Sequence, residues 1–497
     1  MKILLTAPPR YIMLSKWNDY NANLERSRKE SLPSLAIYQL ASVLMENNYE
    51  VDVLDPLMND IATNSADDIR IDSPLFELSL RFPEIERAIR GVDAIGISVT
   101  SLDWFLARLM IKRLKAVDPT LPIIMGGVHA ALADEYMLRS SSVDYVVRKE
   151  GEKTLPELLN AIENDGDLKD VMGISYNSDG RIILNKDRPP LTITEMEGLP
   201  LPAFDLMPSN FYGKISLESS RGCKSGCSFC SIPFKKSWRG ISPKAAYRRV
   251  EHALEYTKKL YGDQRDIYII DDSFSADPRR AEEILKCLQE LNFGKVRIGF
   301  EGRVNEIVNS NIVRLSKKIP TCAIQVGVEC GYDEGLKRIK KGITTQMVEK
   351  CAFLAKEHEV SMSFAFIIGF PWESVDDCLK TIEFSYHIVS NYGGFAFINW
   401  FHLVPGSEIW EGRKSFGIDV DLDCYDNLYL ESKKPRMNVM RGLNEEDFSR
   451  IYCEIDRYNL QLLLTTNIKG SMEKIQPFFE ILRVFWVDGN LRAIRSR

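Results

Sequence analysis

Three cysteines, Cys223, Cys227 and Cys230, stand close together in SSRGCKSGCSFCSIPF. Thiolate is the preferred ligand of iron–sulfur iron, and a C-x3-C-x2-C loop can wrap one face of a cubane. Three thiolates leave one iron of a four-iron cluster without a protein ligand, and an open coordination position can bind substrate. The competing chemistry is a structural zinc site. That needs a fourth ligand, and because neither Cys nor His lies nearby in sequence, Cys287, Cys322 or Cys330 would have to reach it through the fold. Further along, polar or special residues recur at the ends of apolar runs: Asp271 and Asp272, Glu301 and Arg303, Glu329, Gly369 and His402. Buried charges there must be paired, so a structural Glu–Arg pair competes with ligand binding. Asp277, before PRRAEEIL, reads as a helix N-cap.

These residues require elements to position them. In the first third, Ile3–Leu5, Val51–Leu54, Ala94–Val99, Ile123–Met125 and Tyr145–Val147 read as buried strands. Segments near Pro33–Glu46, Pro83–Arg90, Asp103–Ala116, Ala130–Leu138 and Lys153–Asn164 carry helical spacing. The alternation predicts an α/β, doubly wound parallel sheet. Ligands bind such sheets outside the carboxyl ends of the strands, here Thr6–Pro9, Ser98–Ser101, Gly126–His129 and Arg148–Glu152. Residues 165–213 are richer in Pro, Gly and Asp and hold a domain boundary, and LNKDRPPLTITEMEGLPLPAFDLMP reads as an extended connector.

A second series follows at Lys214–Glu218, Ile267–Ile270, Val296–Phe300, Ala323–Gly327, Ser361–Ile367 and Phe395–Phe401. Six strands with helices between them fit a partial parallel (β/α) barrel, which places chemistry at the strands' carboxyl ends. From about 412 onward the pattern is mostly helical, and EKIQPFFEILRVFWV reads as a core helix rather than a membrane-surface one, because its aromatics need burial. The expected organisation is an α/β ligand-binding domain at 1–165, a linker at 166–207, a partial barrel at 208–411 and a helical C-terminal domain at 412–497.

Composition narrows the function. Of 497 residues, 45% are hydrophobic and 27% charged, so large cores are available. A net charge of −6 disfavours a duplex nucleic-acid partner. Apolar runs such as Phe364–Phe370 and Phe395–Phe401 are too short to span a membrane. MKILLTAPPR is too short for a secretory core, and every cysteine lies after residue 222, which points to a metal centre in a reducing cytoplasm rather than a disulfide framework.

The C-x3-C-x2-C loop, with the aromatic Phe229 before its last cysteine, resembles that of the radical SAM superfamily. IYIIDDSF, GFEGRVNEIV, IQVGVECGYDEGLKRIKKG and FIIGFPWES resemble the second to fifth strand motifs of its cobalamin-dependent branch. The resemblance, over about 208–410, implies a 4Fe-4S cluster on Cys223, Cys227 and Cys230. It further implies S-adenosyl-L-methionine (SAM) chelated to the open iron and cleaved to a 5′-deoxyadenosyl radical. Asp271 and Asp272 could then accept from the SAM amine or ribose, Arg303 could bind the methionyl carboxylate bidentately, and Glu301 and Glu329 would lie beside them. Gly369 would let the backbone approach adenine.

The segment 1–165, with APPR, GISVTS, IIMGGVHAALADEY and VVRKEGEKTLPELL, resembles the cobalamin-binding domain that precedes the barrel in that branch. Gly126 and Gly127 would admit a flat ligand, and Ser98, Thr100 and Ser101 would offer hydroxyls to a nucleotide tail or corrin amides. The Asp-x-His-x-x-Gly loop of cobalamin mutases is absent and no histidine precedes His129, which predicts base-off cobalamin without histidine ligation.

The resemblance implies a methyltransferase acting on an unactivated carbon or phosphorus centre through methylcobalamin. The alternatives are a radical cyclase, rearrangement or oxidation enzyme of the same architecture, with or without cobalamin, and a passive corrinoid sensor or scaffold. A methylthiotransferase would need an additional amino-terminal cluster, and no cysteine precedes Cys223. Expected partners are a small-molecule, peptide or lipid substrate and an electron donor such as flavodoxin or ferredoxin. Trp400, His402 and Trp410 are candidates for the substrate pocket, with core packing as the competing role.

Overall fold

The computed structural model describes residues 1–8, 32–54, 85–101, 103–207, 212–261, 265–418 and 443–465. The chain divides into two compact units, one built from Met1–Leu217 with Arg248–Arg265, the other from Glu218–Tyr247 and the described residues from Asp266 onward.

The first unit holds seven strands: β1 (Lys2–Thr6), β2 (Glu50–Leu54), β3 (Ala94–Ser98), β4 (Ile123–Gly126), β5 (Tyr145–Val147), β6 (Ile174–Ser178) and β7 (Arg181–Leu184). Their order is β2-β1-β3-β4-β5-β6-β7. The first five pair in parallel and β6 and β7 add antiparallel. Helices Leu35–Glu46, Trp104–Val117, Val128–Ser140 and Gly151–Glu163 alternate with the strands. Ile3, Leu5, Ile37, Leu44, Ile124, Leu158 and Ile174 close one core between sheet and helices. The apolar runs of β1 and β3 are buried almost throughout, as expected for parallel strands covered on both faces.

The hairpin β6–β7 places two regular strands within the span expected as a linker, ahead of the segment read as an extended connector. ISYNS and RIIL flank Asp179-Gly180, both at positive φ (51° and 78°), which is the backbone of a type I′ turn. The remainder of the segment is less regular, apart from the short helix Ile193–Glu197 with its Thr192–Glu195 capping box.

The second sheet has the order β15-β14-β13-β12-β11-β8. Its strands are β8 (Lys214–Leu217), β11 (Asp266–Ile269), β12 (Ile298–Arg303), β13 (Thr321–Glu329), β14 (Met362–Ile368) and β15 (Phe395–Trp400); a two-stranded ribbon, β9 (Ser220–Arg221) with β10 (Arg239–Gly240), stands apart. Neighbours from β11 to β15 pair in parallel, with helices between them. This is the expected partial barrel, and Asp277 caps the helix Pro278–Leu288 by accepting from Arg280 N–H.

The helix Glu445–Thr465 packs on Val375–Tyr392, sharing a core of Ile368, Ile382, Trp400, Phe448 and Ile451. The described part of the expected C-terminal domain is therefore built onto the barrel. EKIQPFFEILRVFWV lies outside the described residues. Among them, no helix is long and apolar enough to cross a membrane.

Candidate active site

The cysteine loop leaves β8 and is anchored at its first turn. Asp271, just beyond β11, accepts hydrogen bonds from Ser219 N–H (2.6 Å), Ser220 N–H (2.9 Å) and both hydroxyls (2.6 Å each). It is 1% exposed; burial pushes its carboxyl up and the serine donors oppose that. All four acceptor sites are thus engaged, so Asp271 positions the loop rather than reaching a ligand, contrary to its assignment from sequence. Asp272 accepts only from Gly222 N–H (2.8 Å) among the bonds described and is exposed.

Gly222 sits at φ +84°, and a Cβ there would stand 1.9 Å from Ser237 O. The loop folds back on itself at that point. Cys223 N–H donates to Phe234 O (3.3 Å) and the ribbon β9–β10 closes the base. Ser228 ties the far end, donating to Ile339 O (3.0 Å) and accepting from Ile409 N–H (3.1 Å).

Cys223 and Cys227 are buried and Cys230 half-buried, all as free thiols. Burial pushes the Cys230 thiol up. Donors already point at two of the sulfurs: Ser225 N–H lies 3.4 Å from Cys223 Sγ, and Arg303 Nη1 lies 3.5 Å from Cys227 Sγ. Such donors suit thiolate sulfur bound to iron. Among the described residues, no three His, Cys, Asp or Glu side chains converge on one point. The donor set fits an iron–sulfur cubane, in which each thiolate takes a different iron.

The parallel register brings Glu301 opposite Gln325 and Arg303 opposite Gly327. Gln325 donates to Glu301 (3.2 Å). Burial, then the charges of Asp272 and Glu329, push the Glu301 carboxyl up to about 7 against a hydrogen bond from Tyr268. Arg303 is buried. Its backbone N–H donates to Ser275 Oγ (2.9 Å) and its Nη2 to Lys341 O. Burial opposes its charge, but Cys227, Cys223 and Glu306 more than offset this and hold the guanidinium above its ordinary value. Glu329 occupies the left-handed region at φ +77° and pairs with Lys341 Nζ (2.7 Å), both almost fully buried. A non-glycine residue held there costs about 1–3 kcal/mol, a strain found where structure serves a site.

Lys341 was not legible in the sequence as a site residue. It stands twelve positions after Glu329, a spacing that no regular element brings together, and its ammonium lies 5.9 Å from the Phe229 ring. Phe229 meets Phe370 edge-on at 6.1 Å. Gly369 N–H (2.7 Å) and Phe370 N–H (3.0 Å) both donate to Glu373, which also accepts from Tyr332 Oη (2.8 Å). Burial pushes Glu373 up to about 7 while those donors pull it down. This second carboxylate, also missed from sequence, shapes the turn at Gly369.

Trp400 is core: its Nε1 donates to Tyr452 Oη (3.1 Å) and its ring packs on Phe448. Trp410 is buried too, under Arg413, whereas His402 is half-buried.

In the first unit, β3 and β4 end side by side. A Cβ on Gly127 would stand 2.6 Å from Val99 O, so glycine there allows two chain segments to touch rather than admitting a ligand. A Cβ on Gly126 would meet nothing within 4 Å, and Val128 beyond it is 42% exposed. That open, apolar strand end fits a flat ligand. Ser98 Oγ borders the Gly127 contact. Two hydroxyls proposed for ligand contact are otherwise engaged: Thr100 donates to Asp103 (2.6 Å), and Ser101 Oγ lies 3.1 Å from His129 Nδ1. His129 is fully buried, its ring tilted on Trp104 at 5.3 Å, and burial pushes its pKa down to about 3.

Comparison with known proteins matches both units. Residues 217–385 match the radical SAM superfamily and residues 25–159 the B12 binding domain. An uncharacterized methyltransferase of Pyrococcus horikoshii is 28% identical over 421 residues, covering 83% of each chain. The cytidylyl-2-hydroxyethylphosphonate methyltransferase of Streptomyces wedmorensis is 22% identical over 85% of each chain. Among solved structures, the cobalamin-dependent SAM radical enzyme OxsB, with aqua-cobalamin and SAM bound, superposes with a TM-score of 0.67 at 18% identity, over 98% of this chain and 72% of that one. The radical SAM methyltransferase TsrM of Kitasatospora setae gives 0.61 at 15% identity, over 85% and 76%. Those two likenesses establish the fold.

Proposed function

This chain is a radical SAM enzyme carrying a B12-binding domain, and from that membership we propose that it is a cobalamin-dependent methyltransferase acting on an unactivated carbon or phosphorus centre of a small molecule. When bound, the cluster with SAM supplies a hydrogen-abstracting radical and cobalamin supplies a transferable methyl group. The observation that carries the reading is the three-cysteine loop, clamped at the carboxyl end of a parallel sheet, in one chain with an α/β unit whose fourth strand ends open at Gly126.

The protein's own residues have definable tasks there. Cys223, Cys227 and Cys230 would hold three irons. Arg303, fixed by Ser275 and Lys341, holds a guanidinium donor against Cys227 Sγ. Asp272 is exposed and can accept from a ligand amine or hydroxyl. The Lys341–Glu329 pair stands beside Phe229, where a carboxylate-bearing ligand would meet the buried ammonium. The turn held by Glu373 presents backbone at Gly369 to a flat base. We place the enzyme in a reducing cytoplasm with a low-potential electron donor, because a cluster with an open iron is oxygen-sensitive.

The test is corrinoid content per chain after anaerobic purification with hydroxocobalamin and cluster reconstitution, followed by assay with methyl-deuterated SAM. About one cobalamin per chain, and both S-adenosylhomocysteine and 5′-deoxyadenosine as products, are expected. A reconstituted enzyme that retains no cobalamin yet forms 5′-deoxyadenosine would replace methyl transfer by radical chemistry with SAM alone.

A further inference from the structure

The turn between the second and third cysteines carries a hydroxyl with no bond to make within the protein. Cys230 N–H donates to Cys227 O (3.3 Å), which closes a four-residue turn with Ser228 and Phe229 at its corners. Ser228 is 5% exposed. Its backbone is fixed on both sides, the N–H donating to Ile339 O (3.0 Å) and the carbonyl accepting from Ile409 N–H (3.1 Å). Its Oγ is buried and makes no hydrogen bond; among the described residues it is the one buried hydroxyl of which that is true. Ser219 and Ser220, earlier in the same loop, both spend their hydroxyls on Asp271.

A buried hydroxyl without a partner gives up its hydration for no return, so such a group calls for an explanation. A buried water is a poor one. It needs about two to four polar partners, and the neighbouring backbone donors of Ser228, Cys230 and Ile409 are already spent. What the surroundings offer is sulfur. Ser228 follows Cys227 directly and stands two positions before Cys230. Each thiol of the triplet already has one donor: Ser225 N–H at Cys223 (3.4 Å), Arg303 Nη1 at Cys227 (3.5 Å) and Ile232 N–H at Cys230. Thiolates that hold a cubane, and the sulfides between its irons, accept further hydrogen bonds. A hydroxyl can rotate to meet such an acceptor, which a fixed backbone N–H cannot.

We infer that the Ser228 hydroxyl donates a hydrogen bond to a sulfur of the cluster and thereby raises its reduction potential. The inference rests on the functional reading above, in which Cys223, Cys227 and Cys230 hold three irons. The step it tunes is a one-electron reduction. The cluster gains the electron, an external reductant such as dithionite loses it, no bond forms or breaks, and the proton stays on Ser228 Oγ. Reduction adds negative charge that is shared with the sulfurs. A donor bonded there therefore stabilises the reduced state more than the oxidised one.

The experiment is an anaerobic potentiometric titration of the reconstituted full-length protein, followed by the electron paramagnetic resonance signal of the reduced cluster. Ser228→Ala should load iron as the wild type does. It should shift the reduction equilibrium toward the oxidised cluster by about tenfold, which is about 59 mV downward for one electron. Ser228→Thr, which keeps the hydroxyl, should titrate with the wild type. An Ala variant at the wild-type potential, or a Thr variant lowered as far as Ala, overturns the proposal, because the cluster then does not sense the hydroxyl. Should Ser228→Ala hold no iron, Ser228→Thr and its isostere Ser228→Val decide the question. Val below Thr in potential, or Val alone failing to load, supports the donor; equal potentials overturn it. Failure of the wild type to hold any cluster would instead overturn the functional reading.

Discussion

Adjacent carboxylates just beyond β11 do different work because they meet different donors. Asp271 turns into the protein and spends every acceptor on Ser219 and Ser220, while Asp272 turns outward and keeps capacity for a ligand. Glu301 carries the clearest pH signature. Its pKa of about 7 in the fold exceeds the ordinary glutamate value of 4.5, so between those values the folded protein binds more protons than the unfolded chain. Its contribution to stability is therefore greatest at low pH and falls as pH rises through that window. Glu301→Gln, which cannot ionise, should remove the loss. Thermal melts at pH 5 and pH 8 should show the wild type weakening relative to the variant, by no more than about 3 kcal/mol. Parallel melting curves would show that the carboxyl ionises without cost in the fold.

At the scale of elements, the cysteine loop depends on its turn as much as on its sulfurs. Gly222→Ala would drive a Cβ to 1.9 Å from Ser237 O and 2.7 Å from Phe234 O, both backbone atoms, at a φ that L residues rarely adopt. We expect the variant to hold little or no iron, while the first unit, whose core is separate, keeps its corrinoid content. Iron and cobalt analysis of one preparation measures both; normal iron would mean that the loop can re-form around the added methyl. The hairpin β6–β7 shows a signal passed over in sequence. Asn-Ser-Asp-Gly between ISY and RIIL is turn chemistry flanked by strand residues, hidden by the Pro-rich segment that follows.

At the scale of the whole molecule, the two units carry two chemistries, and cobalamin ligation is where they can be told apart. His129 lies under the sheet between Ser101 and Trp104, fully buried and neutral, and no histidine precedes it. For base-off cobalamin without histidine ligation, the electron paramagnetic resonance spectrum of bound cob(II)alamin should lack nitrogen superhyperfine coupling; resolved coupling would mean that a histidine or the cofactor's own benzimidazole holds the cobalt. The sequence by itself determined the alternation of strands and helices, the partial barrel and the cysteine triplet, because burial periodicity and ligand spacing are local properties of the chain. Only the tertiary structure decided which polar residues are spent. Asp271, Thr100, Ser101 and Trp400 are engaged internally, whereas Lys341 and Glu373 enter the site from distant positions. A carboxylate's availability depends on the donors that surround it in space, and strand register and chain return, which set those donors, are not written in any short stretch of residues.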